Sequence, residues 1–486
     1  MTFAKAEFML FNSPIYILFL ALVVLLYWNA PHRFRVPLLL AASYVFYMSW
    51  APPHGLMYGP LIFADSVLFY WLSRAMVRWP QFKKHFLTFG ITLALGLLGW
   101  FKYANFFADT AQALLQFLNL PARPVSFDIL LPLAISFTTF VLISYLVDVY
   151  RGHEKPDRSF TRFAAYVAFF PHLIAGPIVR ASELLHQFDQ TPKFEVERFA
   201  QGIHRFCLGF FLKVFIADVI AVYVDMIFGN PGLQAFNTSW TALYSFSVQL
   251  FCDFFGYTLM AQGSALLLGY SLPENFNAPY FAKNMSDFWK RWHISLSRWL
   301  RDYLYIPLGG NRHGKFNTYR NLFITMGLGG LWHGASWNFV LWGLLNGIFL
   351  CAHKIGKALD VNRFIPTLVA MILTFHAVCL TRVFFRAPTF GDALHMFSTL
   401  WNPLNTHAIA EQVGSVEQGV AFMTTETALL MVLLYFSIHG LILYARPRVT
   451  WPVLREAGLA AGYCIFLYCL FTMGGSSSQQ FIYFQF

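Results

Sequence analysis

The chain has 486 residues, of which 57% are hydrophobic, 19% aromatic and 12% charged, with a formal net charge of +11. A soluble globular chain carries about 25% charged residues, so this composition excludes an ordinary set of water-soluble domains and points to lipid as the surrounding solvent. The basic residues are scattered among apolar segments and form no stripe, which speaks against a nucleic-acid-binding face and for positive loops beside a membrane.

Taken in chain order, Lys5 and Glu7 precede an apolar run over residues 13–28. No small-residue cleavage site follows, so the run reads as a retained first span. Further apolar segments lie near 37–51, 56–73, 86–103 and 129–148, with a sixth near 163–178. A crossing needs roughly 17 residues or more, so the second is short. The linker after the first span carries Arg33 and Arg35. That after the third carries Arg74, Arg78, Lys83 and Lys84, and that after the fifth carries Arg151, Lys155, Arg158 and Arg162. The intervening stretches 51–55 and 105–128 hold few charges and read as loops. The positive-inside bias then predicts a cytoplasmic side for the basic linkers and an N-terminus outside. Later apolar segments near 203–228, 239–270, 320–351, 365–384, 420–443 and 455–473 bring the expectation to eleven or twelve membrane segments in an all-α polytopic protein. Six cysteines, at 207, 252, 351, 379, 464 and 469, form no CxxC and read as small buried hydrophobes.

Gly176-Pro177 interrupts the sixth segment, because proline lacks an amide hydrogen and clashes with the preceding turn. Irregular backbone at membrane depth must be buried or line a cavity, so the readings are a kinked span or a re-entrant element. Residues 284–320 form the longest polar-rich insertion. Within it, Trp289, Trp292, Leu296, Trp299 and Tyr303 recur at three- and four-residue spacing, which predicts an amphipathic helix over 287–303. Ser286 or Asp287 is its candidate cap. Lys290, Arg291, Arg298 and Arg301 flank the stripe. The turn Pro307-Leu308-Gly309-Gly310-Asn311-Arg312 is either a structural stop or a phosphate-holding turn using Arg312; it matches no nucleotide-binding fingerprint.

Two histidines remain, each preceded by tryptophan: His293 in the amphipathic stretch and His333 in a 30-residue run without a charged side chain. An imidazole takes a proton near neutral pH, which is what acyl transfer from a thioester to an alcohol requires of a base. The alternative is a hydrogen-bonded packing histidine at 333 and an exposed helix histidine at 293. Neither has a metal-ligand spacing, and no GxSxG nucleophile elbow occurs. Asp253 and Asn284 are candidates to orient a histidine or bind substrate. Asn338 is too far round a continuous helix to share a face with His333.

At these residues the chain resembles the membrane-bound O-acyltransferase family, in its bacterial alginate, cellulose and peptidoglycan O-acetyltransferase branch, related to the D-alanyl transfer protein of teichoic-acid modification. The resemblance runs through MLFNSPIYILFL (9–20), AGPIVR (175–180), LPENFNAPY (272–280), DFWKRWHISLSRWLRDYLYIPLGGNRHG (287–314), TYRNLFITMGLGGLWHGASWNFVLWG (318–343), RVFFRAP (382–388) and FIYFQF (481–486). It implies one integral-membrane acyltransferase domain around a central tunnel. The expected divisions are N-terminal helices over 1–160, a catalytic core over 161–384 containing the amphipathic helix 286–305, and C-terminal helices over 385–486. It implies His333 as the principal catalytic residue and His293 as the second, and acetyl-CoA as donor substrate with no permanently bound cofactor. Lys290, Arg291 and Arg312 are the candidates to attract the coenzyme. The implied acceptor is a hydroxyl of an exported polysaccharide, reached directly or through a periplasmic O-acetyltransferase or export-complex protein. The implied place is the bacterial inner membrane, with lipid as a further partner. Different-class alternatives are a transporter or an export scaffold. One departure stands out: where the family usually resembles FDFSGYSDMAIG, residues 252–263 read CDFFGYTLMAQG, with Phe255 for a small hydroxyl residue and Leu259 for an acid.

Overall fold

The structure is a computed structural model describing residues 9–49, 55–121, 123–174, 176–190, 192–360, 364–406, 425–445 and 482. Among these there is helix and no strand. In chain order the helices are α1 (Pro14–Asn29), α2 (His32–Met48), α3 (Gly55–Arg78), α4 (Lys83–Leu98), α5 (Ala104–Phe117), α6 (Ile135–Arg151), α7 (Phe160–Ala168), α8 (Phe170–Leu173), α9 (Ala181–Leu184), α10 (Val196–Phe211), α11 (Asp218–Gly229), α12 (Phe236–Leu267), α13 (Met285–Arg291), α14 (Ile294–Leu300), α15 (Gly314–His333), α16 (Trp337–Ala358), α17 (Thr367–Arg386), α18 (Phe390–Leu400) and α19 (Thr425–Ala445). Local chemistry sets several ends. Ser13 Oγ accepts from the Tyr16 amide and Pro14 occupies the first turn of α1, where its missing N–H costs nothing. Gly152, at φ +77°, closes α6 by returning its amide to the Asp148 and Val149 carbonyls.

Among the described residues, five stretches are long and apolar enough to cross a membrane: Leu56–Arg78, Pro80–Phe117, Val196–Gly229, Trp337–Ala358 and Thr367–Arg386. Pro14–Asn29 and Thr425–Ser437 are shorter apolar helices. The chain is thus an all-α, multi-spanning membrane protein.

Several segments differ from expectation. The first half of the stretch 105–128 is helical, because α5 continues α4 through a π-helical turn over Gly99–Tyr103. The apolar segment 320–351 is two helices, α15 and α16, reversed at Gly334–Ser336. The sixth segment is α7 and α8 followed by non-helical backbone over 177–180. Helix α18 was not expected, though Thr389 and Asp392 cap it reciprocally, a pattern readable as T-x-x-D. The apolar segment 455–473, Cys464, Cys469, Lys5, Glu7, Ala175 and, apart from Ile482, the terminal 481–486 lie outside the described residues.

The chain divides into two compact units. The first comprises Met1–Ile203, Ala261–Glu274 and Ser295–Pro307. Its interior is aromatic: Tyr16 meets Phe46 edge-on at 5.6 Å between centroids and bonds Ser264 through its hydroxyl at 2.8 Å. The Trp299 indole stacks on Phe140 at 3.6 Å and donates to its carbonyl. An acid–base network ties 295–307 down: Arg180 to Asp302 at 2.7 Å, Arg298 to Glu183 at 2.9 Å, and the Tyr303 hydroxyl to Asp148 at 2.6 Å. The Ile178 amide, freed by the break at Pro177, donates to Ser295 Oγ, so that irregular backbone is satisfied within the protein. The second unit comprises His204–Met260, Asn275–Ile294 and Leu308–Phe486, and contains both Trp-His pairs.

Candidate active site

Glycine in GLGGLWHG has a packing reason. A Cβ at Gly330 would run into the Phe339 carbonyl, and one at Gly343 into the Met326 carbonyl. Helices α15 and α16 therefore approach backbone to backbone, as small residues permit in membrane helices. The hairpin puts His333 on the last residue of α15, 5% exposed, with its ring edge-on to Trp342 of α16 at 4.9 Å. Phe385 of α17 adds a second wall at 5.5 Å and Trp332 a third at 5.0 Å.

His293 is held differently. The helix expected over 287–303 is broken: α13 ends at Arg291, α14 starts at Ile294, and a π-helical turn follows over Arg301–Tyr305. At the break His293 has φ +42°, a left-handed conformation costing about 1–3 kcal/mol in a non-glycine residue. Neighbouring backbone enforces it. The Asn277 amide donates to the Arg291 carbonyl and the Ile294 amide to the Asn275 carbonyl, both at 2.9 Å, so residues 275–277 clamp the break from either side. The imidazole is fully buried, meets Phe254 edge-on at 4.7 Å, and donates from Nδ1 to Asn275 Oδ1 at 3.2 Å. That bond leaves the lone pair on Nε2, which has no hydrogen-bond partner among the described residues. His293 lies outside the membrane-crossing stretches, and burial alone pushes its pKa down to about 3, so the ring is neutral at physiological pH.

The two histidines, 40 positions apart, share a neighbour. Trp332 lies 6.2 Å from the His293 ring and 5.0 Å from the His333 ring, centroid to centroid. Two nitrogen bases set in an aromatic enclosure can pass protons to and from a hydroxyl while restricting water. The basic candidates sit apart from this buried pair: Lys290 and Arg312 are exposed, and Arg291 is bonded to Asp287 at 2.8 Å. Asn284 caps α13, accepting from the Asp287 amide. Asn338 Nδ2 donates to the Ala387 carbonyl. Asp253 orients no histidine among the described residues; it pairs with Lys213 at 2.7 Å and accepts from the Ile482 amide at 2.8 Å. Lys213, 1% exposed on a π-helical turn between α10 and α11, also binds Asp218 at 2.6 Å. Sequence reading missed Asn275 and Lys213. LPENFNAPY contains the first, but only the fold says which of its residues faces the histidine.

The departures at 255 and 259 have packing explanations. Phe255 of α12 lies against Phe251 and Phe276, at 5.2 and 5.7 Å between centroids. Leu259 is buried where α12 crosses Gly209 of α10. His293 donates to Asn275 Oδ1, so no acid at 259 is needed to orient it.

The model of the membrane-bound O-acyltransferase family matches residues 153–385, which span both Trp-His motifs. The chain is 38% identical to a probable alginate O-acetylase of Pseudomonas putida over 98% of its own length and all of that protein's. It is 42% identical to a probable alginate O-acetylase of Pseudomonas aeruginosa, over 81% of this chain and 75% of the other. It is also 34% identical to a peptidoglycan O-acetyltransferase of Helicobacter pylori, over 98% of each. With matches of this extent and an all-helical fold that joins the two histidines, the chain belongs to the membrane-bound O-acyltransferase family and is an acyltransferase.

Proposed function

We propose that this enzyme transfers an acetyl group from a cytoplasmic thioester, acetyl-CoA, toward hydroxyls of an exported polysaccharide such as alginate, across the bacterial inner membrane. The observation that carries the reading is the pair of buried histidines in one aromatic enclosure around Trp332. Similarity along nearly the whole chain to proteins named as alginate and peptidoglycan O-acetylating enzymes supports a glycan hydroxyl as the acceptor class.

His333 takes the proton of the acceptor hydroxyl as its oxygen attacks the thioester carbonyl, then returns it to the departing thiolate. His293 stays neutral and offers Nε2 as a hydrogen-bond acceptor that orients a reactant. The exposed Lys290 and Arg312 draw in the polyanionic coenzyme, with a smaller share from Arg291, already engaged by Asp287. The N-terminus lies on the periplasmic side, as the basic linkers 31–36, 74–84 and 151–162 favour. A periplasmic O-acetyltransferase receiving the acetyl group on a hydroxyl is the relay form of the same transfer. Reconstitution with and without that partner separates relay from direct transfer.

The test is His333→Ala in a producing strain lacking the native gene, with acetate per sugar residue measured on the exported polymer. Acetylation is expected to fall by at least about 100-fold at unchanged protein abundance. Undiminished acetylation at that abundance overturns the assignment.

A further inference from the structure

A small cavity in the second unit shares two walls with His333. Trp342 and Phe385, the rings that flank the imidazole, also line this cavity, together with Trp292, Asn346, Thr381 and Arg382. Arg382 is 3% exposed and lies on α17, one of the membrane-crossing helices. Among the described residues it forms no ion pair. Its Nη1 donates to the Tyr280 hydroxyl at 2.7 Å, and that hydroxyl donates onward to the Ser247 carbonyl. The guanidinium carbon sits 5.0 Å from the Tyr280 ring centre and 4.9 Å from that of Trp292. Ring faces offset part of the cost of burying this charge, but a guanidinium has five donors, and buried charge calls for a negative partner.

We propose that Arg382 is a further catalytic residue, and that the cavity is the subsite where it binds the thioester's carbonyl oxygen as that oxygen becomes negative. The inference rests on the acyl-transfer reading above. The acceptor hydroxyl oxygen forms a bond to the carbonyl carbon, its proton passes to His333, and the C=O π pair moves onto oxygen, where Arg382 holds it. The pair then returns, the C–S bond breaks, and the thiolate takes the proton from His333. Ester and free thiol result. The lining favours this ligand over a standing anion. One guanidinium, one hydroxyl and one carboxamide among aromatic and aliphatic side chains suit a neutral acyl group that gains a single charge during reaction. A coenzyme pyrophosphate carries more charge than such walls can solvate. A donor aimed at developing charge acts on the transition state, not on ground-state binding. Tyr280 is the positioning residue that fixes the fork.

The test uses the full-length protein in lipid nanodiscs, with acetyl-CoA as donor, candidate polymer or partner as acceptor, and turnover normalised to sites that bind coenzyme A. Arg382→Gln is expected to lower kcat by about 100- to 1,000-fold with KM for donor and acceptor nearly unchanged. Arg382→Lys, which keeps the charge but not the planar fork, is expected to lose less, and decides the matter if the glutamine variant does not fold. A kcat within about threefold of wild type in a folded variant overturns the role, because an oxyanion donor is worth far more. A raised KM for acetyl-CoA at unchanged kcat assigns Arg382 to coenzyme phosphates, and a raised KM for an acidic polymer assigns it to a sugar carboxylate; either overturns the proposal. Wild-type turnover beside an unaffected Arg382 variant leaves the acyl-transfer reading standing, whereas absence of turnover in wild type overturns both.

Discussion

His293 is held by hydrogen bonds on a broken backbone, whereas His333 is held by ring walls at the end of a 20-residue helix. Around His293 the positioning groups are polar and close in space but distant in sequence: Asn275 fixes the tautomer, and residues 275–277 clamp the backbone. Around His333 they are glycines and aromatic rings, with Gly330 and Gly343 setting the helix spacing and Trp342 and Phe385 setting the ring. A polar clamp fixes which nitrogen carries the proton; a ring enclosure fixes position and excludes water. The polar clamp suits the acceptor role proposed for His293, and the ring enclosure suits the proton transfer proposed for His333.

The largest effect is expected at the glycine interface between α15 and α16. In Gly330→Val the new branched side chain meets backbone, which cannot rotate away. We expect a cost of about 3 kcal/mol, the upper end of overpacking penalties, and much reduced folded protein by size-exclusion chromatography and thermal melt. If the variant folds with normal stability, close approach of α15 and α16 is not what positions His333. Asn275→Ala should act more narrowly. It leaves a buried Nδ1–H unsatisfied at a cost of about 1–3 kcal/mol, and frees the ring to exchange tautomers. About a tenfold fall in kcat is expected, well short of the His333→Ala loss. An unchanged kcat in a folded Asn275→Ala protein removes the fixed tautomer from the mechanism.

The last effect appears only in acid, as pH-dependent stability. In the unfolded chain a histidine takes up its proton below about pH 6.5, and buried His293 does so only near about 3. Between these values the unfolded state binds the extra proton. His293 therefore lowers stability as pH falls through that window, and is neutral in effect above it. His293→Gln should flatten the decline of melting temperature between pH 6.5 and 4. An identical slope in both proteins means that His293 protonates freely in the folded state.

Much of the candidate site was legible because it rests on local signals. A lone histidine in a charge-free apolar run is conspicuous whatever surrounds it. The helix break at 292–293 was not legible. Trp289, Trp292, Leu296, Trp299 and Tyr303 keep helical spacing across it, since burial of the stripe is served by two short helices as well as by one. Nothing in a histidine's chemistry announces a left-handed φ. Asp253 shows the same limit: a buried carboxylate needs a partner, but that partner proved to be Lys213, forty positions upstream, rather than a histidine.

From its own amino acids, then, this chain determined its solvent, its helical class and the two imidazoles available for chemistry, because hydropathy, period and residue type act over a few turns. Tertiary structure decided what those imidazoles meet. It selected Asn275 over Asp253 and Asn284 as the partner of His293, put Trp332 against both rings, and left the Arg382 guanidinium on a cavity beside His333. Apart from the adjacent Trp332 and His333, these pairings join residues 18 to 49 positions apart. Hydrogen bonds and ring contacts at such separations depend on how helices cross, which no short window of sequence contains.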